Sequence, residues 1–250
     1  MQTKLSRRGA LLSGALAVAG IALGRTPAVA AVPGESNGGV RIMPLGDSIT
    51  DGYTPYPGGY RVRLWQLLTA GGYTIDFVGS QTNGPAELGD HDHEGHPGWR
   101  IDQLDANIAT WLGQSDPRTI LLLIGTNDLN QNHDIANAPA RLSGLIDHIQ
   151  ALKPQSFLFV ATIPPQSNAT LEARVEAYNA AIPSVVAQKG PHVRLVKMYN
   201  ALTTADLADG IHPTKAGYDK MAAVWYDALR AVPAALAPLH ATHATAPTGS

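Results

Sequence analysis

Three short polar blocks carry the side chains that could perform chemistry in this chain, and each one follows a hydrophobic run. They are Gly46-Asp47-Ser48-Ile49-Thr50, Gly125-Thr126-Asn127-Asp128 and Asp209-Gly210-Ile211-His212-Pro213. If the hydrophobic runs are parallel strands, the blocks meet outside the carboxyl edge of one sheet, where open α/β folds bind ligands. Together they supply a hydroxyl nucleophile, an amide donor and an imidazole base with a carboxylate to orient it.

Ser48 and His212 form the candidate pair of nucleophile and base. A serine hydroxyl is a weak nucleophile until a neighbouring base accepts its proton. Asp209 precedes His212 by three residues, and a turn of that length lets its carboxylate accept the imidazole Nδ1–H, which leaves Nε2 to face the serine. The block differs from the G-x-S-x-G elbow of α/β-hydrolases, because Thr50 stands where that motif has glycine.

Each of these residues also has a simpler interpretation when it is taken alone. Asp47 and Ser48 fit a turn in which both side chains bond local backbone amides. Asp209 could cap a helix, and His212 could be a surface histidine. The presence of all the required residue types together favours nucleophilic catalysis over several unrelated structural roles.

Acyl transfer also requires hydrogen-bond donors for the negative charge that develops on the former carbonyl oxygen. The backbone N–H of Ser48 and the side-chain amide of Asn127 are two candidates, whereas Asp128 is expected only to fix its loop. A further backbone donor could come from Gly98 or from Gly79. Gly98 is favoured because it precedes a predicted helix, whose N-terminus stabilises negative charge, and Gly79 is interpreted as a strand-ending glycine.

Short β-branched runs alternate with longer amphipathic segments between Val40 and Val232, a pattern typical of repeated βα units. The predicted strands are Val40 to Leu45, Thr74 to Val78, Thr119 to Ile124, Phe157 to Ile163 and His192 to Met198; the predicted helices are Tyr60 to Ala70, Ile101 to Leu112, Ala138 to Leu152, Leu171 to Gln188 and Thr214 to Ala231, with Pro213 at the start of the last. These elements predict an α/β fold: a three-layer αβα sandwich, flavodoxin-like, around a central, mostly parallel five-stranded sheet.

The two ends of the chain are predicted to lie outside this domain, which is expected over residues 31–232. Lys4, Arg7 and Arg8 precede an apolar run and a small-residue cleavage site, so residues 1–30 are predicted to be an export signal. The adjacent arginines indicate a twin-arginine signal, with an ordinary secretory signal as the alternative. Residues 233–250, rich in Ala, Pro and Thr, are predicted to be a disordered tail.

The charge balance narrows the range of partners. Without the four basic residues of the signal, 14 of the 18 Lys and Arg remain against 20 Asp and Glu, a net charge near −6. An acidic protein is a poor match for nucleic acid or for an anionic membrane surface. We therefore expect a neutral substrate outside the cell. The protein itself is expected to be a monomer.

The segment from Gln81 to Gly98 is long for a connection and carries His91, His93 and His96. Long loops of this kind tend to be functional. The crowded imidazoles could suggest a metal site, but alternate histidines in a loop are more typical of solvated side chains, and we expect neither a metal nor a cofactor. His96 and Trp99 could line the substrate crevice, and Trp99 could equally pack beneath the loop.

These blocks resemble the SGNH or GDSL hydrolases, whose motifs contribute Ser, Gly, Asn and His. Ser48, Gly98, Asn127 and His212 stand in the family's order, and Asp209 occupies the matching D-x-x-H position. The resemblance extends from residue 41 to about residue 230. It implies a catalytic triad of Ser48, Asp209 and His212 and an oxyanion hole formed by Ser48, Gly98 and Asn127.

More narrowly, the chain is similar to the carbohydrate esterase family 3 branch. The similarity lies in the segments 42–50, 58–61 and 93–101, although the Gly98 block differs from the N-x-G-x-S-G type of many relatives. The resemblance implies a secreted esterase that removes acetyl groups from xylan or a related plant polysaccharide. A lipase or esterase for longer acyl chains, and a non-catalytic carbohydrate-binding protein, are the alternatives.

Overall fold

The computed structural model describes residues 38–52 and 55–238. The export signal expected over residues 1–30 lies outside this part of the chain, as do residues 239–250 of the expected tail. Within it the strands are β1 (Val40–Gly46), β2 (Ile75–Phe77), β3 (Gln81–Thr82), β4 (Asp92–Gly95), β5 (Thr119–Leu123), β6 (Phe157–Ala161) and β7 (Val193–Val196). The five predicted strands correspond to β1, β2, β5, β6 and β7.

Strands β2, β1, β5, β6 and β7 lie side by side in this order and are all parallel. Every residue of β5 is buried, as expected for a central strand with both faces covered. The prediction of an α/β fold around a mostly parallel sheet is confirmed. All five strands therefore direct their carboxyl ends to the same edge.

Strands β3 and β4 were not predicted, and β4 affects the site directly. Strand β2 pairs with the first half of β1, at Val40 to Ile42. The second half of β1 has no pairing with β2 on that side. Strand β4 pairs there in parallel, at Leu45 and Gly46, while β3 runs antiparallel to β4. The predicted loop from Gln81 to Gly98 thus contains a strand that brings its own carboxyl end to the same edge.

Helices cover the sheet as two layers. They are α1 (Ser48–Asp51), α2 (Gly59–Ala70), α3 (Ile101–Ser115), α4 (Thr126–Asn130), α5 (Ala138–Leu152), α6 (Ala169–Ala187) and α7 (Lys215–Arg230), with 3₁₀ turns at Ile135–Asn137, Tyr199–Ala201, Thr204–Asp206 and Pro233–Leu236. Helix α2 packs on α7, whereas α3 packs on α5 and α5 on α6. The order in which strands are added to the sheet changes direction after β2. Because parallel crossovers are right-handed, this change places the two sets of helices on opposite faces of the sheet.

The tail prediction began too early. Residues 233–236 were assigned to a disordered segment, but they form a 3₁₀ turn in which Ala235 and Leu236 are buried. The carbonyl of Ala235 also accepts a hydrogen bond from the Thr119 hydroxyl at 2.7 Å. Two buried apolar side chains and this hydrogen bond keep the segment ordered. The composition of the segment gave no sign of either contact.

Across residues 38–52 and 55–238, no helix combines the length and the apolar character that crossing a membrane requires.

Candidate active site

Ser48 lies at the junction between β1 and the short helix α1. Asp47 caps that helix, since its Oδ1 accepts a hydrogen bond from the N–H of Ile49 at 2.9 Å. The backbone N–H of Ser48 is the first of the helix, and first-turn N–H groups have no intrahelical acceptor. The serine is 8 % exposed, so it is largely buried.

His212 reaches Ser48 from 164 residues away in sequence. The Ser48 Oγ lies 2.9 Å from the His212 Nε2, and the His212 Nδ1 lies 2.7 Å from the Asp209 Oδ2. A carboxylate can only accept, so Nδ1 carries the proton and Nε2 is left to accept the serine hydroxyl proton. The structure brings these three predicted residues together in the order that nucleophilic activation requires.

Asp209 also organises the backbone of its own loop. Its Oδ1 accepts hydrogen bonds from the N–H of His212 at 2.7 Å and of Ile211 at 3.0 Å. Burial alone would raise the pKa of the Asp209 carboxyl, but the backbone N–H and imidazole of His212 and the N–H of Ile211 outweigh burial and lower this pKa. The aspartate therefore stays ionised opposite the imidazole.

The position predicted for Pro213 was wrong. Helix α7 begins at Lys215, and its N-cap is Thr214, whose hydroxyl accepts a hydrogen bond from the N–H of Gly217 at 3.1 Å. Pro213 lies before the cap and forms a β-bridge with Leu207. Backbone pairing thus closes the base of the loop that carries His212. Thr214 is the N-cap because its hydroxyl can accept a hydrogen bond from a first-turn N–H, which a proline side chain cannot do.

Gly98 lies in a tight turn that directly follows β4. The N–H of Trp99 donates to the carbonyl of His96 at 3.1 Å, and Gly98 has a φ of +80°. Proline followed by a glycine of positive φ is the pattern of a type II turn. Within the described chain the Gly98 N–H has no acceptor, so this amide is available at the edge where Ser48 lies.

Gly79, the alternative donor, has a packing role. A Cβ at this position would lie 2.0 Å from the carbonyl oxygen of His93, so only glycine allows the chain after β2 to pass the backbone of β4. A Cβ at Gly98 would meet no atom within 4 Å. The two glycines are therefore required for different reasons: Gly79 for space and Gly98 for backbone conformation.

Asn127 lies in the first turn of α4, just after β5. Its Nδ2 donates to the carbonyl oxygen of Trp99 at 3.0 Å and lies 3.4 Å from the Asp47 Oδ2. The amide thus stands between the block that carries Ser48 and the turn that carries Gly98. Three candidate donors, from the ends of β1, β4 and β5, converge on one place at the sheet edge.

Comparisons with known proteins show the family to which the chain belongs. Residues 45–220 match the model of the GDSL-like lipase/acylhydrolase family. A family 3 carbohydrate esterase of Clostridium thermocellum is 41 % identical, with a TM-score of 0.73 over 80 % of this chain and 99 % of that one. The chain belongs to the GDSL-like lipase/acylhydrolase family and, within it, to carbohydrate esterase family 3.

Two further proteins are similar to this chain. A family 3 carbohydrate esterase of Talaromyces cellulolyticus is 30 % identical, with a TM-score of 0.69 over 77 % of this chain and 97 % of that one. A multidomain esterase of Ruminococcus flavefaciens is 32 % identical over 222 residues, which span 76 % of this chain and 28 % of that protein. The chain therefore covers little more than a quarter of this multidomain relative.

His96 and Trp99 occupy the interior side of the turn in this family member. The imidazole of His96 stacks against Trp99, with ring centroids 4.4 Å apart, and against Trp111, at 4.6 Å. Its Nε2 lies 2.6 Å from the Oε1 of Glu94. Two indole rings and the Glu94 carboxylate thus contact the imidazole, which is 9 % exposed, an arrangement that does not support the expected contact between His96 and substrate. Trp99 packs beneath the loop, the second of its two predicted placements.

Glu94 and Arg61 are buried charged residues that sequence reasoning missed. Besides its contact with His96, Glu94 accepts hydrogen bonds from the N–H and hydroxyl of Ser80 at 2.8 and 2.6 Å. The guanidinium of Arg61 donates to the carbonyls of Thr50 and Asp51, and burial lowers its pKa to about 10. The signal for Arg61 was its place in the Gly58–Arg61 block, which the family resemblance had included without assigning it a role.

Asp128 is also buried and serves the loop, as expected. It accepts hydrogen bonds from the N–H of Ile101 at 3.0 Å and from Arg141 at 2.8 Å, which ties α4 to the start of α3. No group of three or more potential metal ligands occurs among residues 38–52 and 55–238. Of the other two histidines of that segment, His91 contacts the carbonyl of Pro85 through its Nε2 at 3.1 Å. His93 is buried rather than solvated as expected, and its Nδ1 accepts a hydrogen bond from the N–H of Gly95 at 3.0 Å.

Proposed function

We propose that this protein is a serine esterase that removes acetyl groups from xylan or a related plant polysaccharide. One observation carries the proposal: a continuous chain of hydrogen bonds runs from Asp209 through His212 to Ser48, with contacts of 2.7 and 2.9 Å. This geometry activates a hydroxyl at neutral pH without a cofactor. The relatives that carry the same fold over nearly their whole length are named carbohydrate esterases.

In the proposed reaction, the Ser48 Oγ attacks the ester carbonyl carbon while the His212 Nε2 accepts the hydroxyl proton. The carbonyl oxygen becomes an oxyanion, which accepts hydrogen bonds from the N–H groups of Ser48 and Gly98 and from the Asn127 amide. His212 then gives its proton to the departing sugar oxygen, and an acetyl-serine remains. Water attacks this intermediate with the same histidine as base, which releases acetate and restores Ser48.

The decisive substitution is Ser48→Ala, which should abolish hydrolysis of p-nitrophenyl acetate, because it removes the hydroxyl that lies 2.9 Å from the His212 Nε2. Full retention of activity by this variant would refute the assignment. Labelling of the wild-type protein, but not of this variant, by a fluorophosphonate probe would identify the same oxygen as the nucleophile. A wild-type protein that binds polysaccharide and is neither labelled nor active would instead be a carbohydrate-binding protein.

The substrate is tested by acetate release from acetylated xylan, measured beside p-nitrophenyl esters of increasing chain length. We expect a steep fall in kcat/KM beyond the acetyl ester. Equal or better hydrolysis of octanoyl and longer esters, with no release from xylan, would assign the protein to the lipases for longer acyl chains.

We further propose that the protein is exported as a monomer through the twin-arginine route. The support is the pair Arg7 and Arg8 ahead of an apolar run. Replacement of both arginines by lysine should leave the protein in the cytoplasm of its producing cell, whereas unaffected export would favour an ordinary secretory signal. Light scattering of the purified protein measures its oligomeric state.

A further inference from the structure

A cavity of about 220 Å³ lies between the first turns of α2 and α7. Among its lining residues are Tyr56, Lys215, Tyr218 and Asp219. Lys215 is the first residue of α7 and follows His212 by three positions. The cavity is therefore built on the element that begins where the catalytic loop ends.

Gly59 lies between the cavity and the helix that begins at the nucleophile. A Cβ at Gly59 would lie 3.0 Å from Cε1 of Tyr218 and 3.2 Å from the carbonyl oxygen of Ile49. The ring of Tyr218 and the helix that begins at Ser48 thus pack against the same glycine. A group bound in the cavity would be separated from the Ser48 helix by little more than one backbone segment.

The cavity combines apolar surfaces with polar groups that have capacity left for hydrogen bonds. Tyr218 is 2 % exposed, and its hydroxyl has no hydrogen-bond partner among the residues described. The Lys215 Nζ and the Asp219 Oδ2 form an ion pair of 3.0 Å, with side chains 74 % and 41 % exposed. Such exposed pairs contribute little to stability, so both groups can turn to a ligand. Tyr56 and Pro57 add apolar surface.

A sugar ring matches this lining better than an alkyl chain does. A neutral pyranose has apolar C–H faces and hydroxyls around its edge, which suit tyrosine and proline surfaces with charged hydrogen-bonding groups at the rim. An acyl chain would cover the Lys215 and Asp219 charges without replacing the hydrogen bonds that they make to water. The volume fits one sugar unit together with a few waters.

We propose that this cavity is a glycosyl subsite, which holds a neutral pyranose ring of the substrate while the ester lies at Ser48. The inference rests on the proposed esterase function and adds to it the residues that recognise the sugar. It also gives a structural reason for preferring a carbohydrate ester to a lipid ester. Tyr56 supplies the stacking surface, and Lys215 and Asp219 supply hydrogen bonds to the ring hydroxyls.

The test compares Tyr56→Ala and Asp219→Asn with the wild-type protein on two substrates, an acetylated xylo-oligosaccharide and p-nitrophenyl acetate. We expect KM for the oligosaccharide to rise about tenfold relative to KM for the small ester, because only the oligosaccharide has a ring to place in the cavity. Asp147→Asn is the matched control, since Asp147 is an exposed carboxylate paired with Lys189 at 2.7 Å on α5. The control should leave both KM values unchanged.

Binding can be measured separately from catalysis in the Ser48→Ala background. Titration calorimetry with the acetylated xylo-oligosaccharide should show weaker binding when Asp219→Asn or Tyr56→Ala is added. Unchanged oligosaccharide KM and affinity in both variants, with p-nitrophenyl acetate still hydrolysed, would overturn the subsite and leave the esterase function standing. A selective rise in KM for p-nitrophenyl butyrate would also overturn it, by assigning the cavity to the acyl group. A wild-type protein inactive on every ester would remove the proposed function itself.

Discussion

The amide Nδ2 of Asn127 lies 3.4 Å from the carboxylate Oδ2 of Asp47, the residue immediately before the nucleophile. The other carboxylate oxygen of Asp47 caps the helix that begins at Ser48. One buried side chain therefore contacts both the nucleophile's helix and the amide proposed to stabilise the oxyanion. A change at Asp47 should affect catalysis and folding stability at once, and the two effects have opposite signs.

The stability effect of Asp47→Asn follows from burial. Desolvation raises the pKa of the Asp47 carboxyl to about 7, against about 3.9 for an unfolded aspartate. The unfolded chain therefore ionises first as pH rises, so this group makes the folded state progressively less stable between about pH 4 and 7. Asparagine cannot ionise. We expect the Tm of the variant, relative to wild type, to increase by several degrees from pH 4 to pH 8 in scanning calorimetry. A Tm difference that is constant over this range would contradict the buried carboxylate as its source.

The same substitution should reduce activity. An asparagine at position 47 can still accept the hydrogen bond from Ile49 through its oxygen, but it then presents an amide NH₂ to Asn127. Two donors facing each other displace the Asn127 amide from its position near Ser48. We expect a fall in kcat smaller than the roughly 10²–10³-fold loss that follows removal of an oxyanion donor, for which Asn127→Ala is the reference. Wild-type kcat in Asp47→Asn would show that Asn127 is positioned by Trp99 alone.

Alanine at Gly98 and at Gly79 should give different defects. At Gly98 an added Cβ meets open space, but the φ of +80° is unfavourable for alanine, at a cost of roughly 1–2 kcal/mol. The variant should fold with a lower Tm and a lower kcat for p-nitrophenyl acetate. At Gly79 the Cβ would collide with the backbone of His93, so this variant should fail to yield folded protein. A well-folded Gly79→Ala enzyme with low kcat, beside an unaffected Gly98→Ala enzyme, would mean that Gly79 and not Gly98 supplies the oxyanion amide.

Much of the site was predictable because Ser48 and Asn127 come just after strands and Asp209 and His212 share one short polar block before the last long helix. Ser48, Asp209 and His212 were located from the order of polar blocks along the chain, and the structure brings them together. The parallel sheet was predictable because long apolar runs such as residues 120–124 have few alternatives to a central strand. The parts that could be predicted were therefore the reactive side chains and the strands that are buried because they are apolar.

The missed parts depend on pairing between distant segments. Strand β4 consists of Asp92–Gly95, a polar sequence without the alternation that indicates a strand. Its burial becomes possible only because Ser80 and His96 satisfy the Glu94 carboxylate. For the same reason the Asp47–Asn127 contact, between residues 80 positions apart, leaves no local signal. These features determine where the Gly98 turn and the Asn127 amide lie.

His96 should act on catalysis through the turn that it supports. His96→Ala removes both the stacking with Trp99 and Trp111 and the contact with Glu94, which frees the Gly98 amide to move. Because that amide is needed mainly for the oxyanion, kcat for p-nitrophenyl acetate should fall with little change in KM. His96→Phe keeps the stacked ring without the hydrogen bond and should recover part of kcat. A rise in KM at constant kcat would instead mean that His96 contacts the substrate.

Asp209→Asn tests the orientation of the catalytic imidazole. The asparagine oxygen can still accept the backbone N–H groups of Ile211 and His212, but its NH₂ then faces the imidazole Nδ1 as a donor. The ring must accept there and carry its proton on Nε2, where it can no longer take the proton of Ser48. We expect kcat to fall by about 10⁴-fold, as in other triads that adopt the wrong tautomer, without loss of the fold. Since the pKa of Asp209 is held below its usual value, the wild-type carboxylate stays ionised at mildly acidic pH. Asp209→Glu, which preserves the charge, is the matched control and should retain more of kcat than Asp209→Asn. Equal kcat in Asp209→Asn and in the wild-type enzyme would contradict the proposed orientation of the imidazole.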